Sequence, residues 1–191
     1  EYADIMRGYR EKYRAEYIVG SVHHVGDILI DGPIDWFESA MEESGGLENL
    51  CIAYYERVAE MVATLKPEVV GHLDLVRKNG RHYGSVDTPS IRSAAKTAVQ
   101  EISQRGCIID VNVAAYRKGL DTPYPAPWLL AECRDLGVPC CFGDDSHRVS
   151  DIGHGLEEGA RYLRKNGITS IRAITRRDGK IVQEDRALPA L

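Results

Sequence analysis

The feature that most restricts the fold of this chain is a repeated alternation of short apolar runs with longer amphipathic segments. The runs are rich in valine and isoleucine, and most of them end in polar residues. Short runs of this kind, bounded by turn residues, predict buried strands. The five runs occupy residues 17–23, 68–72, 107–112, 138–145 and 169–174.

Two long amphipathic helices are predicted between these strands. Residues 47–65 place leucine, valine and tyrosine on one helical stripe, and residues 91–102 place isoleucine, valine and alanine on another. Thr88 and Pro89 are a start signal for the second helix, and Gly106 is its stop signal. Both patterns are typical of helices that cover a sheet.

Two shorter helices are predicted at 126–136 and 152–165, the first ended by Gly137 and the second by an Asn-Gly pair at 166–167. Strand and helix therefore alternate along the chain. This order predicts an α/β fold in which helices cover a parallel sheet.

The ends of the predicted strands favour a closed barrel over an open sheet. In a parallel barrel the carboxyl ends of several strands converge on one face, whereas an open sheet confines its ligand to one crevice. Four strands here end in groups that can bind a metal or polarise a substrate. These groups are His23, His72, the pair Asp110 and Asn112, and the pair Asp145 and His147.

Length and charge narrow the class of protein. The chain has 191 residues, which is enough for one domain, although parallel α/β barrels usually need about 250. With 24 Lys+Arg and 29 Asp+Glu the formal charge is −5, and basic residues are scattered, so we expect no nucleic-acid partner and no membrane partner.

The cellular location is predicted from three features that are not seen in the sequence: a signal peptide, a membrane span and a CxxC pair. The first 20 residues are charged and no apolar run reaches the length of a membrane span. The 5 cysteines include no CxxC pair, which favours reduced, buried thiols over a disulfide framework. We therefore expect a cytoplasmic protein.

Residues 142–147 are the most specific local signal. An apolar strand breaks at Gly143 and delivers Asp145 and His147 two positions apart. A carboxylate oxygen and an imidazole nitrogen suit a divalent ion such as zinc, manganese or iron. In the alternative interpretation, Asp145 caps the following turn and His147 is solvated.

Three further histidines stand at strand ends. His23 continues its strand directly, so we expect it to face the shared centre, and the neighbouring His24 then lines the pocket or contacts the barrel wall. His72 follows Gly71, which would let a neighbour come close. A lone histidine at either position is more often a satisfied core residue, but together with Asp145 they favour a metal site.

A cationic pair, Arg117 and Lys118, follows the third strand. Arg117 could grip a phosphate with two parallel hydrogen bonds, a geometry that lysine cannot reproduce. Beside a metal cluster such an arginine is expected for phosphate-ester hydrolysis. Its alternative is an exposed surface cation.

Taken together, several short motifs resemble those of the histidinol-phosphate phosphatases of the polymerase-and-histidinol-phosphatase (PHP) superfamily. Their order and approximate spacing match over residues 16–155. The motifs are Gly20-Ser21-Val22-His23, Gly71-His72-Leu73-Asp74, Asp110-Val111-Asn112, Arg117-Lys118-Gly119, Tyr124-Pro125 and Gly143-Asp144-Asp145-Ser146-His147.

The resemblance implies a distorted (β/α)7 TIM-like barrel with a trinuclear metal centre that hydrolyses L-histidinol phosphate to L-histidinol and phosphate. Carried over to this sequence, the metal ligands are His23, His72, Asp145 and His147. Arg117 matches a contact to the substrate phosphate, and His24 is assigned to substrate binding. The partner is then a small phosphate ester, and a homodimer is kept as one alternative for the assembly.

The chain also departs from the family pattern. An early His-x-His-Thr strand and a later histidine are not found, and Glu1 is not assigned to the role of the family's bridging glutamate. Asp110 stands where the family commonly has glutamate, and Asp144 where it has serine. We therefore expect residues 1–191 to be a single domain that forms the C-terminal portion of a barrel, a partial distorted barrel.

Two other functions remain open from the sequence. One is a different metal-dependent barrel hydrolase, acting on another phosphoester or an amide, because barrel loops host many chemistries. The other is an inactive remnant that binds one structural ion or none.

Overall fold

The computed structural model describes residues 2–188 of the chain. Helices and strands alternate over most of its length, and a 3₁₀ turn occupies Val149–Asp151. In order, the elements are α1 (Tyr2–Tyr13), β1 (Val19–Gly20), β2 (His24–Val25), β3 (Ile28–Leu29), α2 (Ile34–Ser44), α3 (Leu47–Leu65), β4 (Val69–Val70), α4 (Arg77–Gly80), α5 (Pro89–Arg105), β5 (Ile108–Asn112), α6 (Ala114–Arg117), α7 (Pro127–Asp135), β6 (Cys140–Gly143), α8 (Leu156–Lys165), β7 (Ser170–Arg177) and β8 (Lys180–Ala187).

The main sheet contains the strands β1, β4, β5 and β6 in that spatial order, all parallel. It confirms the first four predicted strands, each at a shorter length than its apolar run. The central strand β5 is buried at all of its residues. Because all four strands are parallel, their carboxyl ends point the same way.

The fifth predicted strand is wrong as a member of the parallel sheet. Residues 169–174 fall in β7, which pairs antiparallel with β8. The two strands are joined by Asp178 and Gly179, both with positive φ, at 50° and 76°. An Asp-Gly pair in this conformation is a preferred two-residue hairpin loop, so local turn chemistry produces a hairpin where strand–helix alternation predicted another crossover.

The predicted helices are confirmed, with one shortened start. The helix expected at 152–165 begins at Leu156, because Gly153 and Gly155 take positive φ values of 75° and 85° that interrupt a helix. No element was predicted at the positions of α1, α2 and the two-residue pair β2–β3. None of the residues of α1 is buried.

The two faces of the sheet are different. Register places Val70, Ile109 and Cys140 side by side on one face, where they join the core with α3 and α5. The opposite face, which we call the inner face, carries Asp110 and Cys141 as neighbours. The Asp110 carboxyl group on the inner face therefore lies on the side of the sheet opposite the apolar core.

The start of α5 offers a test of the predicted cap. The Thr88 hydroxyl oxygen accepts a hydrogen bond from the Ile91 N–H at 3.4 Å. Thr88→Ala should therefore lower the free energy of unfolding by about 1 kcal/mol, measured by urea denaturation. Thr97→Ala, in the exposed middle of the same helix, is the matched control and should change it little. Equal losses in the two variants would contradict the capping role.

Candidate active site at the carboxyl ends of the strands

A cavity of about 700 Å³ lies at the carboxyl ends of the parallel strands. Residues from all four strands or the loops after them contribute to its wall, as the convergence of strand ends predicts. The lining residues are Val19, Ser21, His23, Asp31, Gly71, His72, Asp110, Asn112, Lys118, Gly143, Asp144, Asp145 and His147.

His23 and His72 meet inside this cavity. Their Nε2 atoms are 3.1 Å apart, and the two rings are nearly perpendicular at 75°. His72 is only 5% exposed, and burial, followed by the neighbouring His23, lowers its pKa to about 4. The His72 imidazole is therefore neutral at neutral pH, the form that binds a metal ion.

Asp110 holds the backbone at His72. Its carboxylate accepts hydrogen bonds from the His72 N–H at 2.5 Å and from the Asn112 side-chain amide at 2.9 Å. His72 has φ of 25°, a conformation unfavourable for a residue with a side chain. Burial raises the pKa of Asp110 to about 7, against the lowering effect of its two hydrogen bonds. The aspartate thus fixes a strained histidine at the wall of the cavity.

Asp145 and His147 line the same cavity after β6. Asp145 has φ of 46°, and its carboxylate accepts a hydrogen bond from the Lys118 ammonium at 3.1 Å. The His147 ring nitrogen Nδ1 is 2.9 Å from the Asp145 carbonyl oxygen, and its side chain is 81% exposed. The turn after the strand is closed by Asp144, which accepts from the Gly153 N–H at 2.7 Å. The alternative interpretation had Asp145 capping this turn and His147 in solvent. Asp144 makes the capping contact instead of Asp145, and His147 is exposed to solvent.

Arg117 and His24 are not among the residues that line the cavity. The Arg117 guanidinium donates to the backbone carbonyls of Asp144 and Asp145, at 2.5 and 3.2 Å, and Arg117 does not line the cavity. His24 is exposed on β2 and lines two other surface depressions. The expectation that these two residues touch the substrate stays a prediction, since Arg117 contacts a loop and His24 is exposed.

Two charged lining residues, Lys118 and Asp31, were given no separate role from the sequence. Lys118 enters the cavity in place of its neighbour Arg117. Asp31 lines the cavity from the loop after β3, which Asn79 holds through a hydrogen bond of 3.0 Å to the Ile30 carbonyl oxygen. The Asp-Gly-Pro turn at 31–33 was the available signal, but it gives no direction for the side chain.

The four expected metal ligands thus line one cavity, but they are not all gathered at one point. Within residues 2–188, no group of three or more His, Cys, Asp or Glu side chains is close enough to hold a metal ion. The donors that do meet are the two imidazoles.

In the same described range, no helix combines the length and apolarity needed to cross a membrane.

Gly143 is required by the packing of the site. A Cβ atom at this position would lie 2.5 Å from the Asp110 carboxylate oxygen Oδ2. Gly143→Ala should therefore push Asp110 out of place and lower the free energy of unfolding by about 1–3 kcal/mol in urea denaturation.

The control for that variant is Gly8→Ala. Gly8 lies in α1 with open space around it, so alanine there should be neutral or slightly stabilising. If Gly143→Ala were as stable as the parent chain, the close approach between β5 and β6 at this point would be wrong.

Comparison with known proteins identifies relatives of this chain. No family model matches it. It is 33% identical over 180 residues to the "probable histidinol-phosphatase" of Schizosaccharomyces pombe, covering 90% of this chain and 57% of that protein. It is 29% identical over 172 residues to the histidinol-phosphatase of Saccharomyces cerevisiae, covering 78% and 51%. The chain thus spans little more than half the length of these curated relatives.

Two solved structures share the fold. The histidinol phosphatase hisK assigned in Listeria monocytogenes superposes with a TM-score of 0.73 at 25% identity, covering 82% of this chain and 63% of that one. The histidinol phosphate phosphatase of Lactococcus lactis, solved with zinc, L-histidinol and phosphate, gives 0.65 at 16% identity, covering 95% and 67%.

The fold and the cavity at the strand ends define an α/β protein of the TIM-like, PHP type, as the sequence predicted. Within that class the chain is related to the histidinol-phosphatases, so the resemblance drawn from its motifs is confirmed.

Proposed function

We propose that this chain carries the active-site cavity of a metal-dependent phosphomonoesterase that hydrolyses L-histidinol phosphate to L-histidinol and phosphate. The observation that carries the proposal is the pair of imidazoles, His23 and His72, whose Nε2 atoms lie 3.1 Å apart in the cavity at the strand ends. Relatives named histidinol-phosphatase, and a structural neighbour that binds zinc, L-histidinol and phosphate, support the same reaction.

The donor pair fits one divalent ion. Two nitrogen ligands at usual zinc distances of 2.0–2.1 Å and a tetrahedral angle are about 3.3 Å apart, close to the observed 3.1 Å. We propose His23 and His72 as ligands of zinc, manganese or iron, with Asp145 and His147, which line the same cavity, completing the set. When bound, the metal would activate a water molecule and neutralise charge on the phosphoryl oxygens.

We also propose that the protein binds three metal ions, as the family resemblance implies. Each ion needs about four ligands, so three ions need more donors than the four residues named here. Metal analysis of the purified protein decides the number. Three equivalents would support a trinuclear centre, and one equivalent would restrict the proposal to the His23–His72 site.

The residues of the chain prepare the cavity for this chemistry. Asp110 fixes the backbone at His72, and the low pKa of His72 keeps its imidazole free of a proton at neutral pH. The neutral ring can then accept the ion without first releasing a proton. The cavity volume of about 700 Å³ suits a small phosphate ester.

Homodimer formation and a cytoplasmic location stay predictions from the sequence. Light scattering during size-exclusion chromatography tests the first, and cell fractionation tests the second. A monomer by light scattering would remove the homodimer from the account without affecting the proposed reaction.

The reaction is tested with the natural gene product that contains this chain. We expect phosphate release from L-histidinol phosphate that rises with added Zn²⁺ or Mn²⁺ and is lost after chelation. A panel of other phosphomonoesters and cyclic amides is assayed in parallel. Preference for one of those compounds, or no metal-stimulated release from any of them, would overturn the proposal.

A further inference from the structure

The short helix α4 and the residue after it, Arg81, donate hydrogen bonds to two loops of the cavity wall. We call residues 30–32 the first lining loop and residues 118–123 the second lining loop. Each loop brings one charged side chain to the cavity, Asp31 from the first and Lys118 from the second. All but one of the acceptors in these contacts are backbone carbonyl oxygens.

We propose that α4 braces the two lining loops and thereby sets which phosphomonoesters the cavity prefers, with Asn79 as the main positioning residue. The inference rests on the proposed phosphomonoesterase function. It concerns the alcohol part of the substrate, because none of the four expected metal ligands lies in α4 or in either lining loop.

Asn79 and its neighbour hold the first lining loop. Asn79 is only 7% exposed, and its side-chain amide donates to the carbonyl oxygens of Ile30 at 3.0 Å and Gly32 at 3.4 Å. The Lys78 ammonium donates to the carbonyl oxygen of Asp31, which lies between them. Three consecutive carbonyl groups are therefore held, and they fix the backbone from which the Asp31 side chain enters the cavity.

Two guanidinium groups hold the second lining loop. Arg77 donates to the Thr122 hydroxyl oxygen at 2.7 Å and to the Pro123 carbonyl oxygen at 2.6 Å. Arg81 donates to the Lys118 carbonyl oxygen at 3.3 Å and to the carbonyl oxygen of the next residue. The guanidinium fork carries several N–H donors in one plane, so one side chain can hold two carbonyl groups at once.

The core holds α4 itself in place. Gly80 is buried, and a Cβ atom there would lie 2.8 Å from a carbon of the Val86 side chain. Asp74, in the turn before α4, is 2% exposed. Its carboxylate accepts from the Ala126 N–H at 2.8 Å and lies 3.1 Å from Nε of Arg77. The lining loops are thus tied to a tightly packed helix, which gives them a defined position.

The first lining loop also offers the substrate an acceptor. The Asp31 carboxylate oxygen Oδ1 is buried and has no hydrogen-bond partner among the described residues. The amino group and the imidazole of L-histidinol supply N–H donors, and a donor placed here would satisfy the buried oxygen. The metal proposed for the same cavity adds positive charge, which a carboxylate in this wall offsets when a cationic alcohol part enters.

The experiment compares Asn79→Asp with the parent protein in the natural, zinc-loaded gene product. Aspartate has nearly the shape of asparagine but sets a carboxylate against the carbonyl oxygens of the first lining loop, so the contacts are lost. Asn79→Ala removes the same donor without adding charge. The readouts are kcat/KM for L-histidinol phosphate and for phenyl phosphate, whose alcohol part has no N–H donor, with zinc content and the affinity for L-histidinol by calorimetry.

A matched control and a second variant complete the design. Asn49 is exposed and makes the same kind of contact outside the cavity, to the Gly45 carbonyl oxygen at 3.3 Å, so Asn49→Asp should match the parent protein. Arg81 is also exposed, so Arg81→Gln tests the second lining loop with less risk to folding. Arg81→Lys keeps one donor group and should recover part of any loss.

For Asn79→Asp we expect kcat/KM for L-histidinol phosphate and the affinity for L-histidinol to fall by about 10- to 100-fold, because a displacement of about 1 Å can cost that much. Asn79→Ala should change both in the same direction. The value for phenyl phosphate should change little, and zinc content should stay that of the parent protein. Arg81→Gln should give a smaller loss of the same preference.

The outcomes separate this proposal from the proposed function. If Asn79→Asp lowers kcat/KM for both esters alike, or lowers zinc content, α4 supports the fold or the metal site and does not set the preference. If Asn79→Asp does not fold, an unchanged preference in Arg81→Gln overturns the proposal. If the parent protein does not hydrolyse L-histidinol phosphate but binds L-histidinol in an Asn79-dependent way, the brace stands and the proposed reaction fails. A parent protein that neither hydrolyses the ester nor binds L-histidinol overturns both.

Discussion

Replacing His72 with alanine should lower zinc affinity by about 100-fold or more and abolish metal-dependent phosphate release. The change removes one of the two imidazole nitrogens that lie 3.1 Å apart in the cavity. Even residues that only support a metal ligand cost 10- to 100-fold in affinity when mutated, so loss of a ligand should cost at least the upper part of that range. Competition with a chromogenic chelator measures the zinc affinity directly.

The control for this variant is His154→Ala, at an exposed histidine outside the cavity. It should keep the zinc affinity and the activity of the parent protein. His23→Ala should reproduce the loss seen in His72→Ala. If both cavity variants bound zinc as tightly as the parent protein, the imidazole pair would not be a metal site.

Replacing Asp110 with alanine should damage both stability and metal binding. The carboxylate accepts from the His72 N–H and the Asn112 side chain, and each buried donor left without an acceptor costs about 1–3 kcal/mol. We expect a loss of that order in the free energy of unfolding, measured with urea. We also expect zinc affinity to fall by about 10- to 100-fold, because the strained backbone at His72 loses its support.

Asp110→Asn separates the two effects. Its amide oxygen can still accept from the His72 N–H, so we expect a smaller loss than in Asp110→Ala. Asp121→Ala removes an exposed aspartate and should be neutral. An Asp110→Ala protein with the stability and zinc affinity of the parent would show that the aspartate does not hold His72.

The parts of the fold that follow from strong local patterns were predictable. The stripe of α3 and the cap and stop signals of α5 lie within one segment of sequence, and both helices form where expected. The hairpin of β7 and β8 was missed although Asp178 and Gly179 are a hairpin signal. Residues 169–174 were instead predicted as a fifth strand of the parallel sheet, because strand and helix alternate regularly up to that point. The helix α1 was not predicted, although Tyr2, Ile5, Met6 and Tyr9 have helical spacing, and none of its residues is buried in the structure.

The site was predictable as far as strand ends determine it. His23 and His72 follow β1 and β4, and the parallel sheet brings them together. The choice between Arg117 and Lys118 was not predictable, since one residue along a helical turn rotates the side chain by about 100°. Arg117 is turned toward the loop at Asp144, whose carbonyl oxygen accepts a hydrogen bond from its guanidinium. This contact joins residues that are far apart in the sequence, so local patterns do not reveal it.

The most direct test of the central claim is a crystal structure of the natural gene product grown with zinc and phosphate, with anomalous data collected at the zinc edge. We expect a zinc peak about 2.0–2.1 Å from Nε2 of both His23 and His72. Zinc bound elsewhere in an active protein, with the two imidazoles still in contact with each other, would contradict it.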